Sequence, residues 1–297
     1  MLSRITENIS YEQVSEHVGL FEINRPKALN AMSYDFLIEA HQLLDDMESD
    51  LSIRAVVISG AGSKSFSAGG DLREEMKNSI SDHAKLFRYN ELGGQFCLKI
   101  LRSRLPFVAA VNGYAFGAPL ALIGACDLSL ASEEAVFGLP TSSLGGIPGW
   151  GCTQIVARHI GAHNVKRMLL LNEWLDAAEA RRVGLISKVL PASELRAEAL
   201  AMAEKIAQFP PAAMTAVKQT VNQGLDLGGS LEDGLALEHE YLKECNVSPV
   251  FAEGIAALLE KRPPKFDEVD DIEQRKRLYL RLAALTGSYK VTKPGLR

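Results

Sequence analysis

Residues 107–125 read FVAAVNGYAFGAPLALIGA, nineteen positions without a charged side chain. Phe107 to Val111 is an apolar run of strand length, Gly113 and Gly117 break it, and Leu120 to Ala125 suits a buried helix. Pro119 has no N–H and fits the first turn of that helix, where the donor would have no intrahelical partner. The neighbouring Ala118 amide is therefore the natural free donor. The uncharged run from Leu105 to Cys126 is long enough to raise a membrane span, but Pro106, Asn112, Pro119 and three glycines make it strand, turn and helix. Another strand is expected at Asp127 to Ala131.

Working outward, Val18 to Ile23 and Ala55 to Ser59 are apolar runs, closed by Asn24-Arg25-Pro26 and Gly60-Ala61-Gly62, and read as strands. Between them Ser33 is placed to cap a helix in which Phe36, Ala40, Leu43, Leu44 and Met47 share one face. Strand, helix and strand make a crossover unit. Beyond Trp150 the pattern changes. Asp176 and Glu179 mark a helix start, Gly184 its stop, and Leu185 to Leu190 is again strand-like. From Ser193 onward only helices are expected: Leu195, Ala199, Met202 and Ile206 on one face, a segment from Pro210-Pro211, then Leu231 to Cys245 and Val250 to Leu259. The organisation is a β/α core over 1–200, a helical section over 201–266 and an extension over 267–297. The extension is charged at first and then amphipathic, which suits a further helix, on a mobile tail or at a subunit contact.

The chain has 297 residues, 47% hydrophobic and 23% charged, which suits a soluble unit with an ordinary core and excludes disordered and collagenous classes. A net charge of -5 gives no global basic field for nucleic acid. Cys97, Cys126, Cys152 and Cys245 lie far apart, without zinc-knuckle or disulfide spacing, so a reducing compartment is expected. With no apolar signal-peptide core in MLSRITENIS, the expected location is cytoplasmic, with no membrane partner.

A second glycine-rich turn, Ser65-Phe66-Ser67-Ala68-Gly69-Gly70-Asp71-Leu72, again lies between a strand and a helix-like stretch. Taken alone it is a tight turn as readily as an anion site. Two such turns about 50 residues apart can aim two backbone N–H groups at one developing oxyanion, of a thioester enolate or a tetrahedral intermediate. There is no G-x-S-x-G elbow, and Ser63-Lys64-Ser65 lacks the glycine before lysine of a P-loop. His159 and His163 are spaced i, i+4, but Gly161 interrupts them and no carboxylate ligand is near in sequence, so no metal is expected.

Four motifs in order, Asn24-Arg25-Pro26-Lys27-Ala28-Leu29-Asn30-Ala31, Phe66-Ser67-Ala68-Gly69-Gly70-Asp71-Leu72, Ala110-Val111-Asn112-Gly113-Tyr114-Ala115-Phe116-Gly117 and Gly146-Ile147-Pro148-Gly149-Trp150-Gly151, resemble the enoyl-CoA hydratase/isomerase (crotonase) superfamily. Glu253-Gly254 followed by Leu259 to Phe266 resembles its closing signature, so the match runs over about 10–266. The resemblance implies an α/β spiral of ββα units, a C-terminal helical trimerisation domain over 201–266, and a homotrimer or dimer of trimers. It implies an acyl-CoA substrate, coenzyme A entering only as part of that substrate and with no separate cofactor. The thioester carbonyl would be held by the N–H groups of Ala68 and Ala118. Lys27, Ala28, Leu29, Ala68, Gly69, Asp71 and Leu72 would follow the CoA path, with Tyr114, Gly117 and Trp150 as further substrate- or CoA-binding residues.

The chain departs from that pattern where the hydratases carry two catalytic glutamates. Ala121 and Thr141 stand there, which argues against standard two-glutamate hydration. Thr141, with Ser142 and Ser143, can orient a water or simply form a turn, and Trp150 can wall an acyl pocket or fill a core. Glu74 and Glu75 follow Asp71 and present themselves either to the acyl group or to solvent. His239, beside Glu238, is a further acid or base candidate. The expectation is an acyl-CoA lyase or isomerase that stabilises an enolate. A decarboxylase, a C–C bond hydrolase or a non-catalytic acyl-CoA binder are the alternatives.

Overall fold

The computed structural model describes residues 3–226 and 231–288. The end of the extension, 289–297, lies outside the described residues. Two compact units are present. The first holds the chain up to Leu101 and Pro106–Lys205, and the second holds Arg102–Leu105 and the described residues from Ile206 onward.

The first unit is built on two sheets. Strands β1 (Ser3–Ile5), β2 (Ile9–Gln13), β3 (Val18–Ile23), β4 (Ala55–Gly60), β6 (Phe107–Val111), β8 (Leu128–Ser132) and β11 (Lys188–Leu190) form a seven-stranded sheet in the order β1-β2-β3-β4-β6-β8-β11. A second sheet runs β10-β9-β7-β5, from β10 (Leu175–Asp176), β9 (Val136–Gly138), β7 (Tyr114–Phe116) and β5 (Ser65–Ser67). Each strand β4, β6 and β8 of the large sheet passes directly into a short strand of the small one and then into a helix. Those helices are α2 (Leu72–Ser81), α4 (Ala118–Ala125) and α5 (Ile155–Leu170). Pairing from β3 through β11 is parallel, as is that of β5 and β9 with β7. This is the expected α/β spiral of ββα units.

The crossover after β3 forms as the pattern predicts. In α1 (Tyr34–Ser49) Ser33 Oγ accepts the Phe36 N–H at 3.1 Å, a cap worth about 1 kcal/mol. Phe36, Ala40, Leu43, Leu44 and Met47 are all buried. Helix α3 (His83–Arg102) buries Tyr89, Leu92, Gly93, Phe96, Cys97 and Ile100, and Phe96 meets Phe36 edge to face. The Leu185 to Leu190 run narrows to β11, because Leu185 and Ile186 instead give their amides to the Ala180 carbonyl that ends α6 (Ala177–Arg182). Helix α7 (Ala192–Ala207) follows. The four cysteines are free thiols, and among the described residues no helix is long and apolar enough to cross a membrane.

The second unit is helical: α8 (Pro211–Asp226), α9 (Leu231–Cys245), α10 (Pro249–Glu260), α11 (Phe266–Val269) and α12 (Ile272–Ser288). Helix α12 packs on α8 and α9 through a cluster of Ala216, Leu237, Tyr241 and Leu282, flanked by Cys245, Leu278 and Leu285. At its start Arg275 pairs with Asp270 at 2.6 Å, both side chains buried. The Ser103, Arg104 and Leu105 carbonyls accept from Gln219, Thr215 and Lys218 at 2.7–2.9 Å, which ties that short segment into this unit.

Candidate functional site

The site grows from the turn that follows β3. Asn30, fully buried and at φ 56°, gives its side-chain amide to the carbonyls of Ala61 and Ser65 and accepts the Arg25 N–H through Oδ1. Arg25 in turn reaches the Ala31 carbonyl at 2.7 Å and Asp71 Oδ2 at 3.0 Å. The β3 turn is thereby joined to the glycine-rich turn after β5. Lys27, Ala28 and Leu29 stand exposed beside it. Leu72 is exposed as well. Asp71 is the N-cap of α2, accepting from Arg73 and Glu74.

The backbone donors of this turn can be accounted for one by one. Ala68 gives its N–H to the Leu29 carbonyl at 2.9 Å, Gly69 to Ser67 Oγ at 3.1 Å, and Asp71 to the Met32 carbonyl at 3.2 Å. The amide of Ala68, expected to be the open donor, is thus committed to the backbone. Gly70 forms a parallel bridge with Met32, and such a bridge uses the peptide groups flanking Gly70, so its own N–H faces the other way. That N–H has no acceptor among the described residues.

The second donor is placed by α4. Gly117, at φ 74°, is its N-cap and Ala118 its first residue, so the Ala118 N–H is one of the orphan amides of a helix start. Among the described residues it too has no acceptor. The two turns touch: at Gly69, φ 98°, a Cβ would overlap the Phe116 carbonyl oxygen and stand 4.0 Å from the Ala118 nitrogen. Gly70 sits against Glu75 and Tyr89. A Cβ there would overlap Glu75 Oε1 and lie 2.9 Å from Tyr89 Oη.

Tyr89 donates to the Met32 carbonyl at 2.7 Å and meets the Trp150 ring edge to face at 5.5 Å. Burial first, and then the carboxylates of Glu75, Glu74 and Asp71, hold its hydroxyl well above the usual phenol range. Trp150 is buried at φ 59°. Burial also raises the Glu75 carboxyl, with Asp71 and Glu74 adding to the effect.

The remaining expected residues fall as follows. Ala121 is fully buried in α4. Nearby, the Cys152 thiol donates to the Gly117 carbonyl at 3.4 Å, and burial pushes it up to about 12, so it holds its proton rather than acting as a thiolate. Thr141 begins the loop after β9, and its carbonyl accepts the Gly146 N–H. Its hydroxyl has no partner among the described residues. Ser142 and Ser143 donate to the Leu169 and Pro140 carbonyls and act as loop formers. Tyr114 is half exposed on β7 and stacks on Phe116. His239 is exposed on α9, which belongs to the second unit, whereas the residues described above belong to the first. His159 donates through Nε2 to the Gly124 carbonyl at 2.7 Å, and Gly161 kinks α5 before His163.

Local sequence does not single out Gly70, Tyr89 or Arg25. Gly70 lies within the glycine-rich motif, but only the hydrogen-bond pattern distinguishes its amide. Nothing local to Tyr89 signals that it reaches the turn, since its partner Met32 is 57 residues away.

Comparison with known proteins gives a consistent result. The family model for enoyl-CoA hydratase/isomerase matches residues 13–269. A probable mitochondrial enoyl-CoA hydratase of Dictyostelium discoideum is 37% identical over 247 residues, covering 83% of this chain and 86% of the relative. A short-chain-enoyl-CoA hydratase of Clostridium acetobutylicum is 36% identical, over 82% of this chain and 92% of its own. The crystal structure of a Bacillus anthracis enoyl-CoA hydratase superposes with a TM-score of 0.82 at 31% identity, covering 87% of this chain and 98% of that one. Pseudomonas aeruginosa DspI does so with a TM-score of 0.82 at 33% identity, over 88% and 97%. By motif, spiral fold and these matches, the chain belongs to the enoyl-CoA hydratase/isomerase family of the crotonase superfamily.

Proposed function

We propose that the chain is an acyl-CoA enzyme that polarises a thioester carbonyl between the N–H groups of Gly70 and Ala118 and so stabilises an enolate. One observation carries this reading. Of the four successive amides from Ala68 to Asp71, only that of Gly70 lacks an acceptor among the described residues, and it lies on the turn that meets the equally unclaimed Ala118 amide. Donors fixed by a strand bridge and a helix start need no reorganisation when charge develops on oxygen. The exposed Lys27, Ala28, Leu29 and Leu72, with Gly69 beside them, offer a path for the CoA moiety, and Tyr114, Gly117 and Trp150 border the acyl end.

Ala121 leaves the α4 side of this pocket without a proton carrier, which sets the reading apart from two-carboxylate hydration. Helices α8 to α10 suit subunit association as a homotrimer or dimer of trimers, supported by the exposed Leu231, Leu235, Val247, Leu258 and Leu259. Solvent deuterium exchange at the α-carbon of butyryl-CoA and 3-hexenoyl-CoA tests the function. Exchange of at least one is expected. Tight CoA-ester binding without any exchange would instead mark a non-catalytic binder.

A further inference from the structure

We propose that Glu75 is the proton carrier of this site, the carboxylate that exchanges a proton with the acyl carbon next to the thioester carbonyl. The inference rests on the acyl-CoA reading above and adds to it the group that moves the proton.

Three carboxylates follow one another on and before α2, and two are committed. Asp71 caps the helix and pairs with Arg25. Glu74 accepts the Tyr34 N–H at 3.0 Å and pairs with Lys85 at 3.3 Å, whose ammonium also lies over the Tyr34 ring. Glu75 is partly buried and has neither a hydrogen-bond nor an ionic partner among the described residues. Its Oε1 occupies the space a Cβ would take on Gly70, the residue whose amide is free. A half-desolvated carboxylate without a partner is held at a cost, and here it lies against the residue whose amide would grip the reacting carbonyl.

The groups around Glu75 decide its chemistry. Burial of the site, and then Asp71 at the helix N-cap and Glu74 on the helix itself, favour its protonated form. From α3, Tyr89 keeps its own proton, and Lys85 is occupied by Glu74. Arg25, from the β3 turn, is neutralised by Asp71. A carboxyl raised above its ordinary value is better matched to both taking and returning a proton.

The step balances without a co-reactant. Glu75 carboxylate takes the proton from C2, the C–H electron pair becomes the C1–C2 double bond, and the charge moves to the thioester oxygen between Gly70 and Ala118. Return of the proton to C2 restores the substrate. With a 3-enoyl group the anion is a dienolate, and return to C4 gives the 2-enoyl ester. One carboxyl suffices for this relocation, so 3-enoyl-CoA esters are the substrate class that the site fits.

The test compares wild type, Glu75→Gln and Glu75→Asp for butyryl-CoA binding by calorimetry, α-carbon exchange in D2O, and conversion of 3-hexenoyl-CoA. Wild type is expected to bind, exchange and isomerise. Glu75→Gln is expected to bind alike but to lose about 10²-fold or more in exchange. The wild-type rate should rise with pH through a single limb above the usual carboxylate range, and Glu75→Asp should keep a limb that Glu75→Gln lacks. Exchange by a folded Glu75→Gln within about threefold of wild type, the same pH limb persisting in Glu75→Gln, or wild-type binding without exchange would each overturn the role of Glu75 while leaving the ligand assignment standing. Absence of any CoA-ester binding by wild type would instead remove the acyl-CoA reading, and this proposal with it.

Discussion

The indole of Trp150 occupies the space that a Cβ on Gly93 would need, so α3 and the turn after the Thr141 loop interlock at one glycine. Tyr89, one helical turn earlier, stacks edge-on to the same ring. The pair therefore sets where Tyr89 stands beside Gly70. Gly93→Ala is expected to cost about 1–3 kcal/mol through overpacking, despite alanine's better helix propensity. Urea unfolding gives the cost, and a shift in tryptophan emission shows that the indole has moved.

Ala118→Pro removes one proposed oxyanion donor while placing proline at the first position of a helix, where it is tolerated. The variant is expected to fold with near-native circular dichroism and to lose about 10²–10³-fold in thioester α-proton exchange, roughly 2.7–4 kcal/mol. Retained exchange in the folded variant would remove Ala118 from the site.

Asn30→Ala should act through stability first. It leaves the Ala61 and Ser65 carbonyls and the Arg25 N–H without their partner in a buried turn, and it puts alanine at φ 56°. A loss of about 2–4 kcal/mol is expected from stranded backbone groups and the strained φ. Chemical denaturation measures it, and weakened CoA-ester binding should accompany it because the same turn carries Leu29.

The second unit should answer to acid through Glu253. Arg262, in a fork-to-fork pair, and the Lys265 N–H hold its carboxyl down from 4.5 to about 2. A depressed folded-state value means that the stabilisation is complete above about 4.5 and is lost as the pH falls from there toward 2. Thermal unfolding followed from pH 6 to pH 2 should show this loss, and Glu253→Gln should flatten the profile in that window.

What could be read from the chain depended on the range of the interaction. Periodicity sufficed for α1, because its buried face recurs every three or four residues and Ser33 announces the start. The apolar runs of β3, β4 and β6 were visible for the same reason. The antiparallel β1 and β2 were not, since SRI and ISYEQ alternate too briefly to stand out. The three-residue strands β5, β7 and β9 hid inside turns, because their pairing partners lie dozens of residues away. At the site, Ala118 followed from the lack of an N–H in its neighbour Pro119, a covalent fact. The difference between Ala68 and Gly70 did not, because it depends on Leu29 and Met32 folding back to claim the Ala68 and Asp71 amides.

Helix α12 begins after the family pattern ends at residue 269, yet Leu282 is 2% exposed inside the second unit. A gene trimmed to the family boundary would therefore uncover an oily seam along Ala216, Leu237 and Tyr241. Such a fragment would be prone to clump during expression even though every recognised motif had been retained.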